Sequence, residues 1–256
     1  MNHILVEQRD GLALIRYNRP EKKNALTQMM YVQLCEALDA AREADAVRCV
    51  LLSGTPGCFS SGNDVADFMS APPLAGPDNP VLRYMRALSE FPKPVIAAVQ
   101  GPAVGVAATT LLHCDLVYAG AGARFQFPFV NLGICLEFAA SLLLPATMGP
   151  QRAAELILFG DAFDAAKARE YGMVNEILDD DAVEAYALDR ALRLARAAPD
   201  SLRTAKRLLR KATQAAVQQA IIDEGRELTR LLRGPEASEA ISAFLQKRKP
   251  DFSAMR

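Results

Sequence analysis

Two short turns, Phe59-Ser-Ser-Gly-Asn-Asp64 and Gly101-Pro-Ala-Val-Gly-Val106, are the places where this sequence could do chemistry. Each follows an apolar run of strand character and opens a helix. Small residues and backbone N–H groups without intrahelical partners therefore collect at a helix N-terminus, where the peptide dipoles add positive potential. Such donors bind a phosphate, or the oxygen of a carbonyl that is gaining negative charge. A tight chain connection uses the same residue types and needs no ligand, so the turns alone leave all three readings open.

The competing chemistries lack their residues. Gly62 is followed by Asn63-Asp64 and not by the Lys-Ser/Thr of a phosphate-binding loop, and no G-x-G-x-x-G or G-x-S-x-G run occurs. His3 and His113 are the only histidines. They share no helical face, so no metal site is expected, and His113, late in an apolar helix, reads as a core residue rather than a base. The five cysteines (Cys35, Cys49, Cys58, Cys114 and Cys135) form no C-x-x-C pair, which fits a reducing cytoplasm better than a disulfide framework.

The elements that must carry the turns follow from periodicity. His3 to Arg9 and Leu12 to Asn18 alternate around Asp10-Gly11, a hairpin signal. Thr27 caps a helix to about Glu43; Val47 to Ser53 is a buried strand leading into the first turn. A short helix from Asp64 to Phe68 is followed by the proline-rich stretch Ala71 to Pro80, read as a mobile surface segment, and by a helix over Val81 to Ser89. Pro94 to Val99 is a strand, Ala103 to His113 helical, and Asp115 to Ala119 and Arg124 to Phe127 strands. Helices are expected over about 138–148, 151–159, 164–171, 182–197 and 201–232. Strands alternating with helices, then helices alone, predict an α/β core over residues 1–198 and a helical region over 199–256, with the boundary at Pro199-Asp200.

Composition narrows the class. The 256 residues are 51% hydrophobic and 23% charged with a net charge of −1, enough chain for a large core and too little basic excess for a nucleic-acid binder. The N-terminus carries charge and alternates, unlike a signal peptide, and no apolar run reaches the roughly 18 residues of a membrane helix; a soluble, cytoplasmic protein is expected. The charge is unevenly divided: residues 190–256 hold 15 Lys/Arg and 7 Asp/Glu, and the rest is acidic. A basic tail of this kind meets an anionic ligand, a partner chain or only solvent.

Taken in order, Asn18-Arg-Pro-Glu-Lys-Lys-Asn-Ala-Leu26, Phe59-Ser-Ser-Gly-Asn-Asp64, Pro94-Val-Ile-Ala-Ala-Val-Gln-Gly101 with Gly105, Cys114-Asp115, Phe129-Val-Asn-Leu-Gly133, Gly149-Pro-Gln-Arg152, Ala166 to Val174 and Phe244-Leu-Gln-Lys247 resemble the enoyl-CoA hydratase/isomerase (crotonase) superfamily over nearly the whole chain. The resemblance implies a spiral of β-β-α units with C-terminal helices that build trimers, often paired into hexamers. It implies an acyl-CoA thioester as ligand, no metal and no separate cofactor. It makes the N–H groups of Asn63 and Val106 an oxyanion hole for a thioester enolate. It places CoA near Lys23, Ala25, Leu26, Ser61, Gly62, Asp64, Val65 and Gly105, with Phe129 at the site and Phe244 and Lys247 reaching it from the C-terminal helix, on this subunit or a neighbour. Asp64 reads in addition as the cap of its own helix.

The hydratases of that family carry two glutamates. The positions that match them here hold Thr109 and Phe129, so ordinary hydration is disfavoured. Leu132-Gly-Ile-Cys-Leu-Glu137-Phe138 resembles instead the segment in which peroxisomal-type 3,2-enoyl-CoA isomerases carry a single catalytic glutamate, with Leu136 for the usual proline and Phe138 for the usual glycine. On that resemblance Glu137 moves a proton from C2 to C4 of a 3-enoyl-CoA, and its apolar neighbours raise its pKa toward a working value. The alternatives are hydratase, lyase or hydrolase activity on the same scaffold, or an acyl-CoA-binding protein with little catalysis.

Overall fold

The computed structural model describes residues 2–70, 79–246, 248–253 and 255. The chain opens with the antiparallel pair β1 (Ile4–Arg9) and β2 (Leu12–Tyr17), joined by Asp10 and Gly11, both at positive φ as a two-residue hairpin requires. Helix α1 (Gln28–Glu43) starts where the Thr27 side chain accepts from Met30 N–H, and ends where Lys93 Nζ donates to the carbonyls of Ala41 and Ala44 at 2.6 and 2.8 Å. Strand β3 (Cys49–Ser53) precedes α2 (Val65–Ser70) and α3 (Pro80–Ser89). Pro80 opens α3, and residues 71–78 of the stretch expected to be a mobile surface segment lie outside the described residues.

Two β-β-α units follow. The first comprises β4 (Val95–Val99), β5 (Pro102–Val104) and α4 (Val106–Leu111). The second comprises β6 (Leu116–Gly120), β7 (Arg124–Gln126), a 3-10 turn at Val130–Leu132 and α5 (Ala140–Met148). Then come α6 (Pro150–Phe159), β8 (Phe163–Asp164), α7 (Ala165–Glu170), β9 (Glu176–Leu178) and α8 (Val183–Ala195), and finally α9 (Pro199–Arg210), α10 (Gln214–Leu232) and α11 (Pro235–Leu245). The large sheet runs β1-β2-β3-β4-β6-β9, parallel from β2 onward; the small one runs β5-β7-β8. The expected α/β core with C-terminal helices is what the chain forms.

Both faces of the large sheet are covered, which is why β3 and β4 read as unbroken apolar runs. Successive side chains point to opposite faces. Val50 and Leu52 enter the main core with Leu34, Leu38, Tyr84 and Leu88, while Cys49, Leu51 and Ile96 pack against Val183, Ala187 and Ala191 of α8.

Three expectations need correction. The helix expected over Ala103 to His113 begins only at Val106, because Pro102–Val104 pairs with β7 and with Ser60, and Gly105 at φ 56° breaks the chain direction. The helix expected from residue 138 begins at Ala140, since Phe138 and Ala139 are left-handed. The helix expected over 201–232 is two, α9 and α10, with a turn at 211–213 that contains neither Gly nor Pro and so left no signal. The two-residue β8 and three-residue β9 are too short for an alternation to register.

The C-terminal helices are tied to the core by charge as well as by packing. Asp115, at the mouth of β6, accepts from Val95 N–H, Lys206 Nζ (2.7 Å) and Arg210 (2.9 Å), and Lys206 is buried. Helix α10 packs against α3 and α5. Among the described residues no helix is long and apolar enough to cross a membrane.

Candidate active site

The two turns lie side by side. Ser60 N–H donates to the Pro102 carbonyl and Val104 N–H to the Ser60 carbonyl, at 2.9 and 3.1 Å. The approach is close enough that a Cβ on Gly62, whose φ is 90°, would stand 2.7 Å from the Val104 carbonyl oxygen. On its other side the first turn is stitched to residues 23–26. Ser61 N–H donates to Lys23 O, Leu26 N–H to Gly62 O, and Asp64 N–H to Leu26 O.

That last pair of bonds fixes the direction of Asn63. In a parallel bridge the bonded residues are the neighbours of Asn63, so its own N–H faces away from Leu26. Val106 is the first residue of α4, after Gly105, whose N–H is held by the Gln126 carbonyl. Among the described residues neither the Asn63 nor the Val106 N–H has an acceptor. The Asn63 side chain is occupied, because Tyr31 Oη donates to its Oδ1.

Glu137, in the loop before α5, reaches this region across from Thr109, which lies one helical turn along α4 from Val106. Thr109 Oγ1 lies 3.4 Å from Glu137 Oε1 and 3.2 Å from the Val106 carbonyl. Glu137 is 3% exposed, and its Oε2 is buried without a hydrogen-bond partner among the described residues. Desolvation, then the negative charge of Glu224, pushes its pKa up to about 8; the Thr109 hydroxyl works weakly the other way. The same burial and the proximity of Glu137 drive the Tyr31 phenol upward as well.

The backbone that presents Glu137 is strained. Phe138 and Ala139 sit at φ 61° and 57°, a region that costs a residue with a Cβ. Neighbours overdetermine the turn. The His113 ring stacks on Phe138 at 3.9 Å, its Nε2 lies 2.8 Å from the Phe138 carbonyl, and Tyr84 packs 5.8 Å away. Burial drives the His113 pKa down to about 3, so the ring is neutral and donates to that carbonyl. It does the work of a core residue, and Glu137 does not cap α5.

The other expected residues fall in two groups. Lys23 is exposed in a left-handed turn; Ser61, Asp64 and Val65 are half-buried around the first turn. Ala25 and Leu26 have buried side chains, and their backbone groups are bonded within the chain, Leu26 to Gly62 and Asp64 and Ala25 to Lys22 and Arg19. Asp64 accepts from Asp67 N–H at the start of α2 and pairs with Arg19 at 2.7 Å, which lowers its pKa against the upward push of burial. Phe129 is buried and stacks on Phe127. Phe244 is 58% exposed at the end of α11, a helix that packs on α10 and the 130–132 turn, and Lys247 lies outside the described residues.

Three contributors carried no individual sequence signal. Buried Asn24, at φ 55°, donates to Thr55 Oγ1 and the Cys58 and Phe59 carbonyls and accepts from Arg19 N–H, locking the loop before the first turn. Tyr31 orients Asn63. Glu224, far along the chain on α10, accepts from Ala139 and Ser141 N–H. Only the left-handed tendency of Asn could have marked the first.

The family model described as enoyl-CoA hydratase/isomerase matches residues 7–255. The chain belongs to that family. As a member it is an acyl-CoA enzyme, and two solved structures of the same fold are similar to it throughout. An enoyl-CoA hydratase/isomerase from Pseudoalteromonas atlantica T6c is 37% identical with a TM-score of 0.94, covering 98% of this chain and 100% of that one. OdaA from Pseudomonas aeruginosa is 47% identical with a TM-score of 0.93, covering 96% and 99%. Among curated members of the family, 2,3-dehydroadipyl-CoA hydratase of Escherichia coli is 34% identical over 98% of this chain and 99% of its own length. Human enoyl-CoA delta isomerase 2 is also 34% identical over 96% of this chain, which spans only 64% of that longer protein. Family membership therefore brings both hydration and double-bond isomerisation into view, and the carboxyl groups must decide between them.

Proposed function

We propose that this protein isomerises 3-enoyl-CoA to 2-enoyl-CoA, with Glu137 as the single base and the N–H groups of Asn63 and Val106 as the oxyanion hole. The observation that carries the reading is one buried carboxyl, with a free oxygen and a raised pKa, beside two free backbone donors. With the thioester carbonyl on those donors, the C2 proton is acidified and the dienolate formed on its removal is held by two hydrogen bonds. Each such donor is worth about 3 kcal/mol in the transition state. Glu137 takes the C2 proton and returns it to C4, so one carboxyl suffices and no water is consumed. The reading needs neither metal nor separate cofactor.

Hydration asks for two carboxyls sharing a water. Thr109 and Phe129 stand where the resemblance puts them, the first bonded toward Glu137 and the second packed in the core. The E. coli relative keeps hydration as the second reading. Incubation with 3-enoyl-CoA and, separately, with 2-enoyl-CoA in labelled water separates the two. The isomerase gives 2-enoyl-CoA from the first and no labelled 3-hydroxyacyl-CoA from the second. Rapid labelled hydration would replace this reading, and tight acyl-CoA binding without either conversion would make the protein a binding module.

We infer further that the chain assembles as a homotrimer, alone or paired into a hexamer, in the cytoplasm, and serves fatty-acid or related lipid metabolism. Exposed Leu208 and Leu209 on α9, Leu158 and Phe159 on α6, and Phe244 and Leu245 on α11 support the assembly, with Leu209 85% exposed. In such an assembly Phe244 and Lys247 can serve a neighbour's site.

A further inference from the structure

Glu224 is buried like Glu137, though less completely, yet it lies on α10, more than eighty residues along the chain. Its Oε2 accepts from Ala139 N–H at 2.6 Å and its Oε1 from Ser141 N–H at 2.8 Å. Ala139 is the left-handed residue before α5 and Ser141 lies in that helix's first turn. The N-cap residue Ala139 offers no side-chain cap to this helix, and a carboxylate from another element takes that place. The clamp falls on the strained pair Phe138-Ala139, immediately after Glu137.

We propose that Glu224 is a positioning residue: its carboxylate bolts α10 to the left-handed turn and thereby sets both the direction and the charge of the Glu137 carboxyl. This inference deepens the isomerase reading and rests on it for the role of Glu137. Glu224 is not itself a second acid or base, because both of its oxygens are held by backbone donors. The clamp also explains how Phe138 occupies a conformation suited to glycine. The His113 ring and carbonyl bond hold one side of the turn, and Glu224 holds the other.

The charged and titratable groups around the pair are few. Glu137 is faced by Thr109 of α4, Tyr31 of α1 and Cys135 of its own loop, with neutral His113 and Tyr84 behind Phe138. Glu224 is faced by Ser141 and Cys135, with Asp223 and Glu227 on its own helix. None of these is a cation. Burial raises the Glu224 pKa while the Ser141 and Ala139 N–H groups favour its carboxylate, and that charge raises the Glu137 pKa beyond what burial does.

The test uses Glu224→Gln, which keeps the shape and one acceptor without the charge, and Glu224→Ala, which removes the clamp. Infrared titration of the Glu137 carboxyl, assigned by difference against Glu137→Gln, needs no turnover. The wild-type midpoint near pH 8 should move down in Glu224→Gln. In isomerase assays Glu224→Ala should lose kcat by about 100-fold, the scale of a base displaced by roughly an ångström, with KM changed far less. An unshifted midpoint in Glu224→Gln, or wild-type kcat in folded Glu224→Ala, overturns the proposal. If Glu224→Ala does not fold, Glu224→Gln decides alone through midpoint and kcat. If the wild type lacks isomerase activity, the isomerase reading fails while the midpoint shift still reports on the clamp.

Discussion

At pH 7 most Glu137 carboxyls carry a proton, because the group is buried and faces the charge of Glu224, against which the Thr109 hydroxyl bond works. The base form accumulates as pH rises through about 8, so kcat/KM, which reports the free enzyme, should climb through that value and level off above it. A pH-rate profile checks this; a flat profile from pH 6 to 9 would remove Glu137 from the reaction. Stability responds in the opposite sense. Between the ordinary 4.5 and about 8 the folded protein holds a proton that the unfolded chain has released, so stability falls as pH rises across that window. Glu137→Gln should therefore raise Tm relative to wild type above pH 8 and leave it nearly unchanged near pH 4, as scanning calorimetry can show. His113 acts in the other direction. Its pKa falls from 6.5 to about 3, so its neutral ring contributes stability above 6.5 that is lost on acidification.

The elements that carry the site differ in how plainly the sequence announces them. Both turns were legible because glycine, serine and a following helix are local features, and the structure sets Gly62 against the Val104 carbonyl as their backbone role demands. The strand Pro102–Val104 was not legible: its pairing partners, Ser60 and β7, are distant in sequence, and its three residues read equally well as the start of a helix. The left-handed Phe138-Ala139 turn was hidden for a stronger reason. Local preference opposes it, and only His113, Tyr84 and Glu224 from other elements impose it. Glu137 was found through the resemblance, whereas its partner Glu224 looked like any helical glutamate. Gly105 has φ 56° and ψ −122° with open space around it, so Gly105→Ala is strained by conformation and not by collision. It should misdirect the Val106 N–H and lower kcat/KM for 3-enoyl-CoA by roughly 100-fold, while circular dichroism stays that of the wild type.

Across the whole molecule, the basic C-terminal region has a first use in the fold itself. Lys206 and Arg210 meet Asp115 in a partly buried cluster at the mouth of the central sheet. Arg203, Arg226, Arg230 and Arg248 pair with nearby acids toward the surface, where water screens the attraction. The cluster is the one that matters. Asp115→Ala leaves a buried ammonium without its carboxylate and should cost about 3–5 kcal/mol in urea unfolding, against little for Asp223→Ala. The composition pointed to an anionic ligand, a partner or solvent; Asp115, which binds two of the cations inside the chain, was among the residues carrying the resemblance but gave no sign of this role. On the proposed trimer or hexamer, the exposed leucines and phenylalanines of α6, α9 and α11 would be covered, and light scattering should return three or six times the chain mass. A strict monomer at micromolar concentration would contradict it.

The central claim is that one buried carboxyl performs the chemistry, and Glu137→Gln tests it most directly. Conversion of 3-enoyl-CoA by wild type and variant is compared at a pH above 8, with acyl-CoA binding measured in parallel. The account predicts binding within a few-fold of wild type and turnover reduced by at least 100-fold, the range expected for losing a positioned base. A folded variant that converts the substrate as fast as wild type would contradict it.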